Sequence, residues 1–297
     1  MINKIKLSKE TSKIIEIALA EDISCGDITS ELLIPPDLVA KALILAKEEG
    51  VMAGGDIARL VFLKVEPELA VELLIKDGQK IKPGDTVAAI AGSVSGILKA
   101  ERVALNFLSH LSGVASLTAR YVAQAQGLGV TITDTRKTLP GLRALEKYAV
   151  LMGGGQNHRL HLGDAILIKD NHIAALKALG MSLRDIVTMA KQNAPQNLKV
   201  EVEVGTIKEA LDVAQAGADI IMLDNMSPEE IKQTVDLLPK PVKIEASGNI
   251  GLDSVCPVAE TGVSTISVGA ITHSVSTLDF SLELDTKTPF SSRFLSP

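Results

Sequence analysis

From residue 130 onward the chain repeats one rhythm: a short β-branched run, a polar or glycine residue, then a helix. The runs are VTITDT, AILIKDN, VEVEV, DIIMLDN, KIEASG and TISVGA. Several of the intervening helices have readable ends. Thr206 and Glu209 have capping-box spacing, with Gly217 as the stop. Ser227 and Glu230 repeat the pattern with Pro228 at the first helical position, and Ser182 with Asp185 resembles it. Strands alternating with helices build a parallel sheet. The residues that follow the strands then become decisive: Asp134 with Arg136 and Lys137, Lys169, Glu203, Asp224, Ser247 with Gly248, and Gly269. Polar or glycine residues at these positions mark the catalytic face of a (β/α) barrel. Six strands are visible, so the expected barrel is incomplete rather than eightfold.

Ahead of that region the elements are mixed. Residues 9–20 fit an amphipathic helix with Ile14, Ile15, Ala18 and Leu19 on one side, and strand-like runs follow at 39–46 and 69–75. The stretch DGQKIKPGDTVAAIAG has the turns and short apolar runs of a compact β element. It loosely resembles a lipoyl or biotinyl module, but no lysine sits in a matching modification motif. Residues 101–126 read as one long helix joining two domains, with Arg102 at its start.

The chemistry is concentrated in residues 134–172. The whole chain has a net charge of -6, yet this window holds six Lys/Arg against four Asp/Glu, three of the five histidines (His158, His161, His172) and a Gly153-Gly154-Gly155 run. Cations gathered in an otherwise acidic chain point to a small, highly charged anionic ligand. The overall acidity argues against a nucleic-acid partner, and 2% aromatics with no Trp removes base stacking as a means of binding one. Cys25 and Cys256 form no CxxC pair, which suggests a reducing compartment and no zinc site. The first residues lack the apolar core of a signal peptide, and no apolar run has membrane-spanning length. A cytoplasmic protein without a membrane partner is expected.

Individual residues sharpen the picture. EASGN and SVGA close the last two strands, where barrels hold phosphate on backbone N–H groups. Either glycine alone would be a tight turn. Glu203 and Asp224 each end a strand, and strand alternation puts Glu201 on the face of Glu203, as an inward neighbour or a buried structural carboxylate. Two pocket carboxylates opposite a cationic cluster suit Mg²⁺ carrying a polyphosphate, or stabilisation of a cationic sugar. Ion pairing with nearby Lys or Arg is the plainer alternative. Arg136, Lys137, His158, Arg159 and Lys169 suit carboxylate or phosphate binding. A metal on His158, His161 and His172 is disfavoured by the surrounding positive charge. Lys169 within ILIKDN also fits a Schiff-base lysine of a barrel aldolase.

The ordered motifs EDISCGDITS (21–30), ERVALNFLSHLSG (101–113), TRKTLPGLR (135–143), GGGQNHR (153–159), DAILIKDNH (164–172), VEVEV (200–204), MLDNM (222–226), EASGN (245–249) and SVGAITHS (267–274) resemble those of the quinolinate phosphoribosyltransferases, also called carboxylating nicotinate-nucleotide pyrophosphorylases. The resemblance runs nearly end to end. Two positions depart from the family pattern: Leu139 stands where Thr is common and Asn249 where Gly is usual. Asn tolerates positive φ better than most residues. No chemical role is evident for EDISCGDITS, whose acids and threonine suit turn caps.

The resemblance implies an α/β fold: an N-terminal α/β sandwich domain at 1–116, completed by 277–297, and an incomplete α/β barrel at 117–276. It implies a homodimer, or a higher homo-oligomer, whose site joins two subunits, and de novo NAD synthesis as the pathway. Quinolinate would react with phosphoribosyl pyrophosphate and Mg²⁺, giving nicotinate mononucleotide, pyrophosphate and CO₂. Carried over residue by residue, Arg136, His158 and Arg159 fall in the quinolinate site, joined by Arg102 from the partner subunit, and Thr135 is among the substrate-binding residues. Lys137 and Lys169 face phosphates and carboxylate. Glu203 and Asp224 serve the ribose and the metal, directly or through water or pyrophosphate, and with Lys137 form the catalytic set. Ser247, Gly248, Asn249, Val268, Gly269 and Ala270 cradle the 5′-phosphate. A transferase for a different aromatic acid such as nicotinate, and a barrel lyase using Lys169, are the competing readings.

Overall fold

Along Val39–Ala46 (β1) every second residue is buried, namely Ala40, Ala42, Ile44 and Ala46, the period of a strand with one face on a core. In the computed structural model, which describes residues 9–285, β1 lies inside a four-stranded antiparallel sheet. Chain order adds β2 (Gly50–Val51), β3 (Ala70–Leu73), β4 (Lys80–Ile81) and β5 (Thr86–Ser93), and β12 (Phe280–Asp285) returns near the chain end. The sheet order is β12-β1-β5-β3, while β2 and β4 pair separately. β12 runs against β1 from Lys41 opposite Asp285 to Ala46 opposite Phe280. The rest of the 277–297 tail, 286–297, lies outside the described residues.

Helices α1 (Lys9–Ile23), α2 (Ile28–Leu33) and α3 (Gly55–Val65) belong to the same unit. On α1, Ile15 and Leu19 are buried four residues apart, as the amphipathic reading requires. The EDISCGDITS segment supplies the cap of α2: the Asp27 carboxylate accepts the Ser30 N–H at 3.0 Å, and Glu31 accepts the Asp27 N–H at 3.3 Å. These acids satisfy backbone donors.

The long helix α4 runs Val94–Gln124 and so begins more than a turn before the expected residue 101. Val94, Ile97 and Ala100 are buried at helical spacing. Gly96 sits inside the helix because a Cβ there would lie 2.8 Å from the Cβ of Glu66. Arg102 therefore lies more than two turns inside the helix, out of reach of the field at its N-terminus. Helix α5 (Arg143–Met152) follows the strand-end loop that carries Arg136 and Lys137.

By contacts the chain divides into two units: one takes the chain to Ala119, Leu139–Gly154 and the chain from Val275, and the other takes Arg120–Thr138 and Gly155–Ser274. The second unit holds all six strands of the repeating rhythm: β6 (Thr131–Thr133), β7 (Ile166–Ile168), β8 (Val200–Val204), β9 (Ile220–Asp224), β10 (Lys243–Ser247) and β11 (Thr265–Ser267). Every ladder is parallel and the order is β6-β11-β10-β9-β8-β7. β6 and β7, consecutive in the chain, sit at opposite edges, which is how a six-stranded barrel stays incomplete. The helices are α6 (Asp170–Lys177), α7 (Leu183–Asn193), α8 (Ile207–Gln215), α9 (Pro228–Leu237), α10 (Val255–Ala259) and α11 (Ala270–His273). Ser182 with Asp185 and Ser227 with Glu230 form reciprocal capping boxes, and Thr206 caps α8 through the Glu209 N–H. Val200, Val202 and Val204 are all buried, as expected for a parallel strand covered on both faces.

Candidate active site

The carboxyl ends of these six strands open into a cavity of about 730 Å³ whose lining belongs entirely to the second unit. Thr135, Arg136 and Lys137 reach it from the end of β6, His158 and Arg159 from the loop before β7, and Lys169 from the end of β7. Glu203 and Asp224 come from the ends of β8 and β9. Ser247, Gly248 and Asn249 follow β10, and Val268, Gly269 and Ala270 follow β11. The catalytic and substrate-binding residues expected from the sequence, with the strand-end acid Asp134, thus converge, with two exceptions. Asp134 is fully buried beneath the cavity, where its carboxylate accepts the His158 N–H at 2.9 Å. Arg102 is exposed on α4 in the first unit and does not line the cavity.

The cations are held in a way that suits an anion. Arg136 Nε is buried and has no hydrogen-bond partner. Arg159 spends one N–H on the Ala165 carbonyl at 3.1 Å, and burial, followed by the nearby Arg136 guanidinium, lowers its pKa. Two partly desolvated guanidinium groups close enough to repel are stabilised by a carboxylate or phosphate between them. The Lys137 loop is pinned at both sides: its N–H donates to Thr135 Oγ1 at 3.0 Å and its carbonyl accepts from Thr272 Oγ1 at 2.7 Å. Lys169 Nζ forms an ion pair with Glu203. His172 caps the Lys169 N–H, and His161 is exposed, so the three histidines do not form a cluster.

Below this layer Glu201, the inward neighbour of Glu203, is buried beside His158 and Glu245. His158 Nε2 stands 3.4 Å from Glu201 Oε2 and 3.6 Å from Glu245 Oε1. The Arg159 N–H donates to His158 Nδ1 at 2.9 Å, so Nδ1 presents its lone pair and Nε2 carries the ring proton toward the two carboxylates. Burial, then the Glu201 charge, pushes Glu245 up to about 7. The three side chains are close enough to hold a metal ion. The arrangement does not suit one, because an Nε2 that bears a proton is no ligand and the Arg159 charge already acts on Glu201. Glu203 and Asp224 at the mouth are the better metal candidates, since they offer hard oxygen donors beside space for a phosphate.

The turn after β10 is tightly folded. Gly248 has φ +91 and Asn249 φ +51, the left-handed region. A Cβ at Gly248 would lie 2.6 Å from Asn225 Cγ and 2.7 Å from its backbone nitrogen, so the position requires glycine. Asn249, in place of the usual glycine, adopts the positive φ that Asn tolerates.

Comparison with known proteins gives this geometry a lineage. Residues 27–112 match the model of the quinolinate phosphoribosyl transferase N-terminal domain, and residues 114–283 match that of the C-terminal domain. The chain belongs to the quinolinate phosphoribosyl transferase family. It is 40% identical over 275 residues to a probable carboxylating nicotinate-nucleotide pyrophosphorylase of Bacillus subtilis, covering 93% of each chain. It is 42% identical to a chloroplastic carboxylating nicotinate-nucleotide pyrophosphorylase of Arabidopsis thaliana, covering 92% of this chain and 82% of the plant protein. The solved nicotinate-nucleotide pyrophosphorylase of Francisella tularensis superposes with a TM-score of 0.87 at 38% identity, covering 96% of this chain and all (100%) of that one.

Within this family site, several residues in or beneath the cavity were given no role in the sequence reading. Tyr121 near the end of α4 donates its hydroxyl to the Ile250 carbonyl at 3.2 Å, and His273 sits one helical turn after Gly269. Asn225 directly follows Asp224. Glu245 lies two residues before Ser247, as Glu201 lies two before Glu203, so period-two alternation alone could have marked it as inward.

Proposed function

We propose that this cavity binds quinolinate and phosphoribosyl pyrophosphate and makes nicotinate mononucleotide, pyrophosphate and CO₂, a step of de novo NAD synthesis. The observation that carries the reading is the pair Arg136 and Arg159, with a buried guanidinium N–H lacking an acceptor, facing the same space as two strand-end carboxylates. A dicarboxylate meets the two guanidinium groups, and a sugar that becomes cationic as pyrophosphate leaves meets Glu203 and Asp224.

Arg136 and Arg159 fix the two carboxylates of quinolinate, and its ring nitrogen attacks the anomeric carbon. His158, whose ring nitrogens are both engaged below, packs against the substrate through its carbon edge. Lys137 neutralises charge growing on the leaving pyrophosphate, and Lys169 shifts from Glu203 toward a substrate anion. The new bond leaves positive charge on the ring nitrogen. When the adjacent carbon–carboxylate bond breaks, the electron pair stays on the ring carbon beside that charge and a proton then takes its place. Glu203 and Asp224 would hold Mg²⁺, which when bound would supply positive charge to the diphosphate. The turn at 247–249 and the residues 268–270 hold the 5′-phosphate on backbone N–H groups.

The same reading includes a homodimer, because Arg102 is exposed on α4 and free to enter the cavity of a second copy. It also includes a cytoplasmic location. Both cysteines are free, and among the described residues no helix is long and apolar enough to cross a membrane. Calorimetric titration tests the dicarboxylate site. Quinolinate is expected to bind more than about tenfold tighter than nicotinate, since one missing carboxylate leaves a guanidinium unpaired. Equal affinities would overturn the assignment of Arg136 and Arg159.

A further inference from the structure

Among the described residues two that are not glycine hold left-handed backbone, Asn225 at φ 55 and Asn249 at φ 51, and their side chains bond to each other. Asn225 follows β9 and Asn249 lies in the turn after the neighbouring strand β10, where Ser247 pairs with Asp224. The Asn225 amide is engaged on both sides. Its Nδ2 donates to Asp224 Oδ2 at 2.7 Å, and its Oδ1 accepts from Asn249 Nδ2 at 2.9 Å. Its backbone N–H donates to the Ser247 carbonyl at 2.9 Å, and Gly248 folds directly over the amide.

This arrangement sits at the rim of the cavity and is solvent-exposed, so core packing does not account for it. Left-handed backbone in non-glycine residues is held only where surrounding bonds over-determine it, and such positions gather at functional sites. The amide joins an acid at the end of one strand to the turn at the end of the next. Without it, Asp224 would lose the donor that fixes one carboxylate oxygen, and the turn would lose its only side-chain tie to β9 among the described residues.

We propose that Asn225 is a positioning residue for the phosphoribosyl donor, aligning the Asp224 carboxylate with the 247–249 turn so that one hydrogen-bonded unit receives both the ribose and the 5′-phosphate. The inference rests on the assignment of Asp224 and the turn to that substrate. It predicts that the two ends of the donor are recognised together and that quinolinate binding is independent of the brace.

Steady-state kinetics of Asn225→Gly, Asn249→Gly and the double variant test it. Glycine suits φ near +50, so each change removes side-chain bonds without adding backbone strain. Asn225→Gly should raise KM for phosphoribosyl pyrophosphate about tenfold and lower kcat severalfold, with KM for quinolinate unchanged. Asn249→Gly should raise the same KM by about threefold and leave kcat intact, because the bond to Asp224 survives. The double variant should match Asn225→Gly, since both changes delete the same Asn225–Asn249 bond. Asn225→Asp, which places a second carboxylate against Asp224, should reduce kcat more than Asn225→Gly.

Wild-type constants for Asn225→Gly, or additive effects in the double variant, would overturn the proposal. A fall in melting temperature without the KM and kcat split would do the same. If Asn225→Gly does not fold, Asn249→Gly reads the same bond from its other end, and a wild-type KM there overturns the proposal. Ser247→Pro separates this inference from the reading beneath it, because Pro removes a backbone donor from the turn and Ser247→Ala does not. An unchanged KM for phosphoribosyl pyrophosphate in folded Ser247→Pro removes the phosphate turn itself. A raised KM there, with Asn225→Gly behaving as wild type, removes only the brace.

Discussion

Replacing Glu245 by glutamine should make the protein more stable above neutral pH while leaving it unchanged in mild acid. In the folded chain burial, then the charge of Glu201, raises Glu245 from 4.5 to about 7. Between those values the folded state binds more protons than the unfolded state, so stability falls as pH rises through that window and levels off above it. The gap corresponds to about 3 kcal/mol at pH 8, where folding must keep a second carboxylate ionised beside Glu201. The Glu245→Gln side chain keeps a polar oxygen facing His158 Nε2 and has no charge to desolvate. At pH 4.5 wild type carries a protonated Glu245 and should match the variant. Thermal unfolding of both proteins across this range reads the difference, expected to grow to roughly 6 °C or more by pH 8. Taking variant minus wild type removes the pH dependence of the groups that do not interact with Glu245, leaving that of Glu245 with its neighbours Glu201 and His158. A constant difference across the range, or a variant less stable at pH 8, would show that Glu245 is not held in a desolvated, like-charged pair.

Further outcomes follow from the cavity. Lys137→Ala and Asp224→Ala should each keep the circular dichroism spectrum of the wild type and lose about a hundredfold or more in turnover, since in the proposed reaction each acts on charge that develops in the transition state. Lys169 Nζ is tied to the Glu203 carboxylate in an ion pair, so its lone pair is not presented to a carbonyl. Borohydride in the presence of substrates should therefore trap no adduct on it, and a trapped adduct would favour lyase chemistry. Co-refolded Arg102→Ala and Lys137→Ala chains should recover about a quarter of wild-type activity, since random pairing across a two-fold axis leaves one intact site in half of the dimers. No recovery in mixed dimers verified by mass spectrometry would place Arg102 outside the partner's site.

Much of the fold was legible because its signals are local. The six β-branched runs became the six parallel strands, and the caps at Ser182, Thr206 and Ser227 start helices where their side-chain chemistry requires. Period-two alternation in VEVEV correctly sent Glu203 to the cavity and Glu201 inward. The misses depend on contacts between distant residues. The long helix starts at 94 rather than 101, with Gly96 inside it where α4 passes close to Glu66, and this carries Arg102 away from the helix end. The engagement of His158 with Glu201 and Glu245 joins a loop to two strands, and no spacing in the chain encodes it. The Asn225–Asn249 bond likewise links the ends of two strands, although both residues immediately follow strand-end groups that the sequence did mark.

The proposed role of Arg136 and Arg159 is to select a dicarboxylate acceptor that loses CO₂ once the phosphoribosyl group has been transferred to it. The most direct measurement is to incubate the protein with phosphoribosyl pyrophosphate, Mg²⁺ and either quinolinate or nicotinate, and to follow CO₂ and pyridine nucleotide together. Equal molar amounts of CO₂ and nicotinate mononucleotide are expected from quinolinate, with nicotinate a very poor substrate. Comparable product from nicotinate, or nucleotide formed from quinolinate without CO₂, would contradict that selection.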